Sequence, residues 1–151
     1  MKPLIAIDPG ASGGIAWIEN DQIFCCKMPE GMTSQADFIK SITSAKGCKD
    51  MTAIIERVGT YMPGNSGPAA VTFARHCGHL EAILYMCGVS TEQVLPNKWM
   101  KSIMGEVPKD KKERKNKIKE LMARKYPHLK VTLSTSDALG ILTWGLVNVK
   151  T

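Results

Sequence analysis

The sequence predicts an α/β protein with a five-stranded mixed sheet covered by helices on both faces. Three strand-like segments follow one another closely near the N-terminal end, which is typical of an antiparallel meander. Two later strand-like segments are each preceded by a helical pattern, as parallel crossovers require. The predicted order is β-β-β-α-β-α-β-α-α-α.

The first three strands are predicted from short apolar runs and one turn signal. Residues 3–8 form an apolar run of strand length. Residues 13–19 and 22–28 flank Asn20-Asp21, a pair typical of a two-residue hairpin turn. These strands are therefore expected to pair in sequence order.

Helices and strands then alternate. A helix is predicted from Thr33 to Ala45 and closed by Gly47, and a short buried strand at 52–56. A loop rich in Gly and Pro follows from Gly59 to Pro68. The remaining predictions are a helix from Ala69 to Cys87, a strand from Val89 to Leu95, a short helix opened by Pro96, a basic helix from Lys109 to Lys125 and a last helix from Ser136 to Val149.

Length and composition exclude several classes of protein. The 151 residues, 44% hydrophobic and 23% charged, suit one globular domain spanning 1–151 and are too few for two full α/β lobes around a cleft. No apolar run approaches the ~20 residues of a membrane span. The N-terminal segment lacks the apolar core and cleavage site of a signal peptide. We therefore expect a cytoplasmic protein without a membrane partner.

The positive charge is concentrated in one segment. Residues 109–125 hold nine Lys and Arg against three Asp and Glu, a balance of +6 that equals the net charge of the chain. A solvated helix face does not need one sign of charge. The segment therefore favours nucleic acid as a partner over a merely solvated surface or an anionic membrane.

Cysteine and histidine spacing predicts neither disulfides nor zinc. The five cysteines form no C-x-x-C pair. His76, Cys77 and His79 lie close together in sequence, but neighbours one or two apart on a helix do not face each other. We expect these side chains to pack rather than to bind metal.

Three acidic residues stand at the ends of predicted elements. Asp8 ends the first strand and Glu56 the fourth, so parallel strands would bring both carboxylates to the sheet edge where α/β proteins bind ligands. Asp137 begins the last helix, which could aim it at the same point. Clustered carboxylates need a cation, and Mg²⁺, or Mn²⁺ in its place, suits oxygen ligands in phosphate chemistry.

Each acid also has a simpler explanation. Asp8 could be a turn residue before Pro-Gly, and Glu56 could pair with the arginine that follows it or cap the following loop. Ser134-x-x-Asp137 fits a capping box at the start of a helix.

The segments IDPGASGGIAWI, AIIERVGTYMPG and SDALGILTWG, in this order and spacing, resemble the motifs of RuvC-type Holliday junction resolvases. Within this RNase H-like superfamily, the compact phage and prophage members look most similar, and LPNKWMKSIMG is also similar to a segment of theirs. The likeness covers nearly the whole chain. It implies an RNase H-like fold and a homodimer in a bacterial or phage-infected cytoplasm, which cuts two strands of a four-way DNA junction symmetrically with Mg²⁺.

The resemblance also assigns site residues. It implies that Asp8, Glu56 and Asp137 are catalytic and hold two metal ions per site. Family members usually have a fourth carboxylate about one helical turn before the last, where this chain has Ser134. A hydroxyl could contribute weakly or through water, so either the second ion is held less tightly or another acid substitutes.

Residues expected to contact DNA flank these acids. Tyr61 and Met62 could wedge against unstacked bases, or Tyr61 could simply anchor its loop. Phosphate contacts are expected from Lys98, Lys101, Lys111, Lys112, Arg114 and Lys115.

The long helix has two apolar stripes. One comprises Ala70, Phe73, Cys77, Leu80, Leu84 and Cys87, at the alternating spacing of a coiled coil. The other comprises Val71, Ala74, Gly78, Ala82 and Tyr85. One stripe would pack on the sheet and the other on a second copy, as the resemblance also implies, unless the helix is fully buried in a monomer.

The leading hypothesis is an endonuclease that resolves branched DNA. A non-catalytic junction-binding protein is the first alternative, favoured by the missing fourth acid. A nuclease acting on RNA, RNA–DNA hybrids or flaps is the second. Phosphotransfer from ATP would need another lobe.

Overall fold

A computed structural model of the chain describes residues 1–46, 48, 50–57, 64 and 66–150. Its elements follow the predicted order. The strands are β1 (Leu4–Asp8), β2 (Gly14–Glu19), β3 (Gln22–Lys27), β4 (Thr52–Glu56) and β5 (Ser90–Val94). The helices are α1 (Met32–Thr43), α2 (Gly67–Met86), α3 (Pro96–Met104), α4 (Lys111–Lys125) and α5 (Ser136–Asn148).

The five strands form one mixed sheet in the order β3-β2-β1-β4-β5. The meander β1-β2-β3 is antiparallel, whereas β4 runs parallel to β1 and β5 parallel to β4. Asn20 and Asp21 both have positive φ, 50° and 61°, as a primed two-residue turn requires. The predicted mixed sheet is therefore confirmed.

Helices cover both faces of this sheet, because alternate residues of each strand point to opposite sides. Leu4, Ala6 and Ile54 face a core that α3, α4 and α5 complete. Ile5 and Ile55 face a second core, which α1 and α2 complete. The predicted α/β class is confirmed.

Two helices begin at other residues than predicted because polar side chains cap them. Ser66 accepts a hydrogen bond from the Ala69 N–H at 3.3 Å, so α2 begins at Gly67 and includes Pro68 in its first turn. Proline is tolerated there because its missing N–H has no partner in the first turn. Asp110 caps α4 in the same way, through the Glu113 N–H at 2.9 Å.

Helix α1 also differs at its ends. It begins after Gly31, which has a φ of 79°, and ends at Thr43, two residues before the predicted end. Gly47, the predicted stop, lies outside the described residues.

Helix α5 lies close against the sheet and against α3. A Cβ on Gly145 would overlap Ile54 Cδ1, and one on Gly140 would stand 2.6 Å from the Trp99 ring. These glycines let α5 approach its neighbours closely, and most of its residues are buried. In the part of the chain that the structure describes, no helix combines the length and the apolar character needed to cross a bilayer.

Candidate active site

Asp8 and Glu56 end adjacent parallel strands. Ile7 of β1 pairs with Ile55 of β4, and each acid follows immediately at the same edge of the sheet. Strand alternation places both side chains on the face that carries Leu4, Ala6 and Ile54. The predicted parallel arrangement of these two strands is confirmed, and both acids therefore face α3, α4 and α5.

Glu56 is held by α3. The indole N–H of Trp99 donates a hydrogen bond of 2.7 Å to Glu56 Oε2, and the Trp99 ring is buried against α5. The simpler explanation, a pair between Glu56 and the arginine that follows it, is therefore not what orients this carboxylate. The role of Trp99 was not predicted from the sequence, because an aromatic residue in a short helix is expected to pack in the hydrophobic core.

Asp137 is held by α4. Its Oδ2 forms an ion pair with the Lys115 ammonium, while its buried Oδ1 has no hydrogen-bond partner among the described residues. The capping-box interpretation is wrong, since α5 begins at Ser136 after Thr135 and has no side-chain cap. Asp137 thus lies in the first turn with one oxygen available to a ligand.

The three acids interact electrostatically. Burial raises the pKa of Asp8 well above its usual value, and the charges of Asp137 and Glu56 raise it further. Burial also raises the pKa of Glu56, against the hydrogen bond from Trp99, which lowers it. Burial is the largest cause of both pKa shifts, and the neighbouring negative charges add to it.

Lys115 is the cation that partly compensates these acids. Burial opposes its charge, but Asp137, Asp8 and Glu56 outweigh burial and raise its pKa. The sequence predicted a phosphate contact for Lys115. In the structure its ammonium forms an ion pair with the buried Asp137 carboxylate, and the phosphate contact stays a prediction.

Replacing Lys115 with Met should destabilise the metal-free protein by about 1–3 kcal/mol, because buried carboxylates lose their cation while the partly exposed lysine is screened by solvent. Mn²⁺ should raise the unfolding temperature of this variant more than that of the wild type, since no ammonium competes for Asp137. Thermal unfolding in EDTA and in Mn²⁺ measures both effects. Lys119→Met, on the exposed side of α4, is the matched control. Equal unfolding temperatures for Lys115→Met and the wild type in both buffers would contradict this role.

The acids suit a divalent cation without forming a finished metal site. Within residues 1–46, 48, 50–57, 64 and 66–150, no three His, Cys, Asp or Glu side chains form a ready metal-binding group. The donors are nevertheless carboxylate oxygens, the ligands that Mg²⁺ and Mn²⁺ prefer, and the partnerless Asp137 Oδ1 is a buried acceptor. A divalent ion would compete with Lys115 for Asp137.

A cleft of about 620 Å³ opens beside Asp8. Lys111 and Lys115 line it from α4, and Ser134 lines it from the segment before α5. The structure therefore brings together Asp8, two predicted phosphate contacts and the residue predicted to act through water. The loop at 9–13, Phe73 and Leu133 complete the lining.

The other predicted DNA contacts either do not line this cleft or lie outside the described residues. Lys98 is exposed and stands 5.5 Å from the Trp144 ring centroid, and Lys101 and Lys112 are also exposed. Arg114 donates to two backbone carbonyls, those of Pro108 and Lys109, each at 3.2 Å. It thus braces the segment before α4. Tyr61 and Met62 lie outside the described residues.

The architecture has the RuvC/RNase H-like fold, an α/β five-stranded mixed sheet with helices. Two of the solved structures that are similar to it are RuvC structures. One is the Thermus thermophilus RuvC in complex with a Holliday junction substrate, with a TM-score of 0.59, 13% identity, and coverage of 93% of this chain and 90% of that one. The other is a Thermus thermophilus RuvC structure, with a TM-score of 0.56, 13% identity, and coverage of 92% and 90%. No protein-family model and no curated protein matches the chain in sequence.

Proposed function

We propose that the protein is a metal-dependent endonuclease that resolves Holliday junctions and related branched DNA. The observation that carries this proposal is the convergence of Asp8, Glu56 and Asp137 from three elements, beside the basic helix α4. The RuvC/RNase H-like fold supports it, since one similar structure is a RuvC bound to a Holliday junction. The whole chain would act as one nuclease domain of the compact phage type, in a bacterial or phage-infected cytoplasm.

Asp8, Glu56 and Asp137 would hold Mg²⁺, or Mn²⁺ in its place, with two ions per site. Such ions supply a polarised water and stabilise the leaving oxygen of a phosphodiester. Trp99 orients Glu56 through its N–H, and Lys115 neutralises Asp137 when no divalent ion is present. Ser134 lines the same cleft and could contribute through water.

The basic surface would bind the DNA backbone. Lys111 stands in the cleft beside Asp8, and the exposed Lys98, Lys101 and Lys112 would supply further phosphate contacts. Phosphate contacts of this kind position DNA without reading its sequence. Tyr61 and Met62 remain our candidates for stacking against bases at the crossover.

We also propose that two copies pair through α2. Its first stripe packs on the sheet, with Cys77, Leu80 and Leu84 buried. Its second stripe is exposed in the single chain, with Val71 62% and Tyr85 81% accessible. An uncovered apolar face of this kind marks an interface, and a two-fold dimer would match the two-fold symmetry of a four-way junction.

The double substitution Val71→Glu and Tyr85→Glu should convert a dimer to monomers, because the same charges would face each other across the two-fold axis. Size-exclusion chromatography with light scattering measures the mass. Thr91→Glu, on exposed β5, is the control and should leave the mass unchanged. A double variant that stays dimeric would place the interface elsewhere.

A non-catalytic junction-binding protein is the second candidate. Two observations favour it: Ser134 stands where a fourth acid is usual, and Lys115 already occupies Asp137 Oδ2. This candidate predicts retention of a four-way junction in a gel shift without nicking in Mg²⁺ or Mn²⁺.

A synthetic mobile four-way junction separates the two candidates. We expect paired, symmetrical nicks in Mg²⁺ or Mn²⁺ and none in EDTA, read on a denaturing gel with each strand labelled in turn. If the protein binds the junction but does not nick it in either metal, the non-catalytic junction-binding function is supported instead. A parallel panel of RNA, RNA–DNA hybrid and flap substrates tests the remaining nuclease alternatives, and faster cleavage of any of these would displace the junction as substrate.

A further inference from the structure

A chain of hydrogen bonds joins α2 to the loop that follows Asp8. The Gly10 N–H donates to His76 Nδ1 at 2.9 Å, and His76 Nε2 lies 2.9 Å from Gln35 Oε1. The Gln35 amide in turn donates to the Pro29 carbonyl at 2.9 Å, and Gln35 is buried. The chain lies outside the acid cluster and links three separate segments.

These bonds fix the tautomer of His76. Because Nδ1 accepts from a backbone N–H, the ring must be neutral with its proton on Nε2, which then donates to Gln35. Burial lowers the pKa of His76, and His79 acts in the same direction, so the neutral form is favoured. A half-buried ring that is hydrogen-bonded at both nitrogens is held in one orientation.

The loop that His76 holds is one wall of the candidate active site. Residues 9–13 line the cleft beside Asp8, and the Gly13 N–H closes the loop onto the Gly10 carbonyl at 3.0 Å. Gly10 has a φ of 110°, and a Cβ there would stand 3.2 Å from the Phe73 ring. At Gly10 the wall thus has a backbone conformation that favours glycine; His76 of α2 is hydrogen-bonded to it, and Phe73 of α2 lines the cleft beside it.

We propose that His76 is a positioning residue for the active site: its Nδ1 holds the loop after Asp8 so that this acid and the cleft wall keep the geometry for metal and phosphate. This inference rests on the proposed function and assigns a role to a residue on the opposite face of the sheet from the acids. His76 would act only through the backbone of Gly10 and would not touch substrate.

Two variants separate the two hydrogen bonds. In His76→Asn, the side-chain oxygen lies where Nδ1 was, so the Gly10 bond should survive and the Gln35 bond should be lost. In His76→Gln, the amide reaches the former Nε2 position, so the reverse should hold. Each variant loses one bond, so both should unfold at similar temperatures. His76→Phe removes both bonds at similar ring size.

Three measurements test the proposal in the full-length protein: hydrogen exchange of the Gly10 amide, the Kd for Mn²⁺ and kcat on the four-way junction. We expect His76→Asn to resemble the wild type in all three. His76→Gln and His76→Phe should lose protection of the Gly10 amide and weaken Mn²⁺ binding or kcat about 10-fold, the usual scale for groups that orient metal ligands.

The outcomes are distinguishable. If the wild type neither binds Mn²⁺ nor cuts the junction, the proposed function has failed, and this inference with it. If the wild type does both and His76→Gln matches it, only the inference about His76 has failed. Equal losses in His76→Asn and His76→Gln would assign the effect to packing of the ring and would also overturn it.

Discussion

Replacing Asp8 with Asn should abolish cleavage and, at the same time, raise the unfolding temperature of the metal-free protein. Asp8 is buried, and both its burial and its acidic neighbours raise its pKa. The folded protein therefore carries this charge at a cost when no metal is bound, and the amide removes that cost. Each 1 kcal/mol gained corresponds to a rise of about 2–4 °C in a domain of this size. Loss of a metal-holding acid should lower kcat on the order of 10³-fold or more.

The stabilising effect should depend on pH. A carboxyl whose pKa is raised on folding makes its favourable contribution below its ordinary value of 3.8, and loses it as pH rises through the raised value. The advantage of Asp8→Asn over the wild type should therefore be largest near neutral pH and vanish towards pH ~4. Mn²⁺ should reverse the order, because it stabilises only the wild type.

Thermal unfolding in EDTA across pH, and in Mn²⁺, measures this pattern beside the junction assay. Asp37→Asn makes the same chemical change at an exposed site on α1 and should alter neither stability nor cleavage. An Asp8→Asn protein that cuts at the wild-type rate would remove Asp8 from the site. If Asp8→Asn unfolds at a lower temperature than the wild type in EDTA, the Asp8 carboxylate stabilises the folded protein even without a metal ion.

The sheet could be predicted from the sequence because its signals are local. Residues 3–8 and 52–56 are apolar runs of strand length, and Asn20-Asp21 specifies its own turn. Parallel pairing of the first and fourth strands followed from the intervening helix, and with it the common edge of Asp8 and Glu56. Local pattern and chain connectivity were sufficient for this part of the fold.

Helix ends were less predictable, because one local pattern has two outcomes. Ser134-x-x-Asp137 and Asp110-x-x-Glu113 both have the spacing of a helix cap. Only Asp110 caps its helix, while Asp137 turns to Lys115, twenty-two positions away in sequence. The orientation of Asp137 is set by an ion pair with a residue that is distant in sequence, so a local sequence pattern cannot predict it.

The partners of the acids could not be predicted for the same reason. Trp99 resembles a core residue, and only the packing of α3 across α5 brings its N–H to Glu56. His76 was considered only for zinc, yet it accepts a hydrogen bond from a loop sixty-six positions earlier. The acidic residues of the site could be predicted from the sequence. The side chains that orient them could not, because their contacts depend on how the elements pack in the fold.

Among the substitutions proposed for this protein, Gly14→Ala should lower the free energy of unfolding most. Gly14 pairs with Asp8 in the sheet, and the chain before α5 crosses directly over it. A Cβ there would overlap the Ser134 carbonyl oxygen and stand 2.9 Å from the Cys26 carbonyl oxygen. Both obstacles are backbone, so no side chain can rotate away, and the cost should be about 3 kcal/mol.

The displaced chain leads into the first turn of α5, so Asp137 should move with it and Mn²⁺ should bind more weakly. Urea unfolding measures the loss of stability as a lower midpoint at unchanged slope. Gly67→Ala, at the first position of α2, is the matched control, because a Cβ there meets no atom of the described residues within 4 Å. A Gly14→Ala protein with the wild-type midpoint and Mn²⁺ affinity would mean that the segment before α5 does not need to lie against β2. The approach of α5 to the sheet would then have to be set by Gly140 and Gly145 alone.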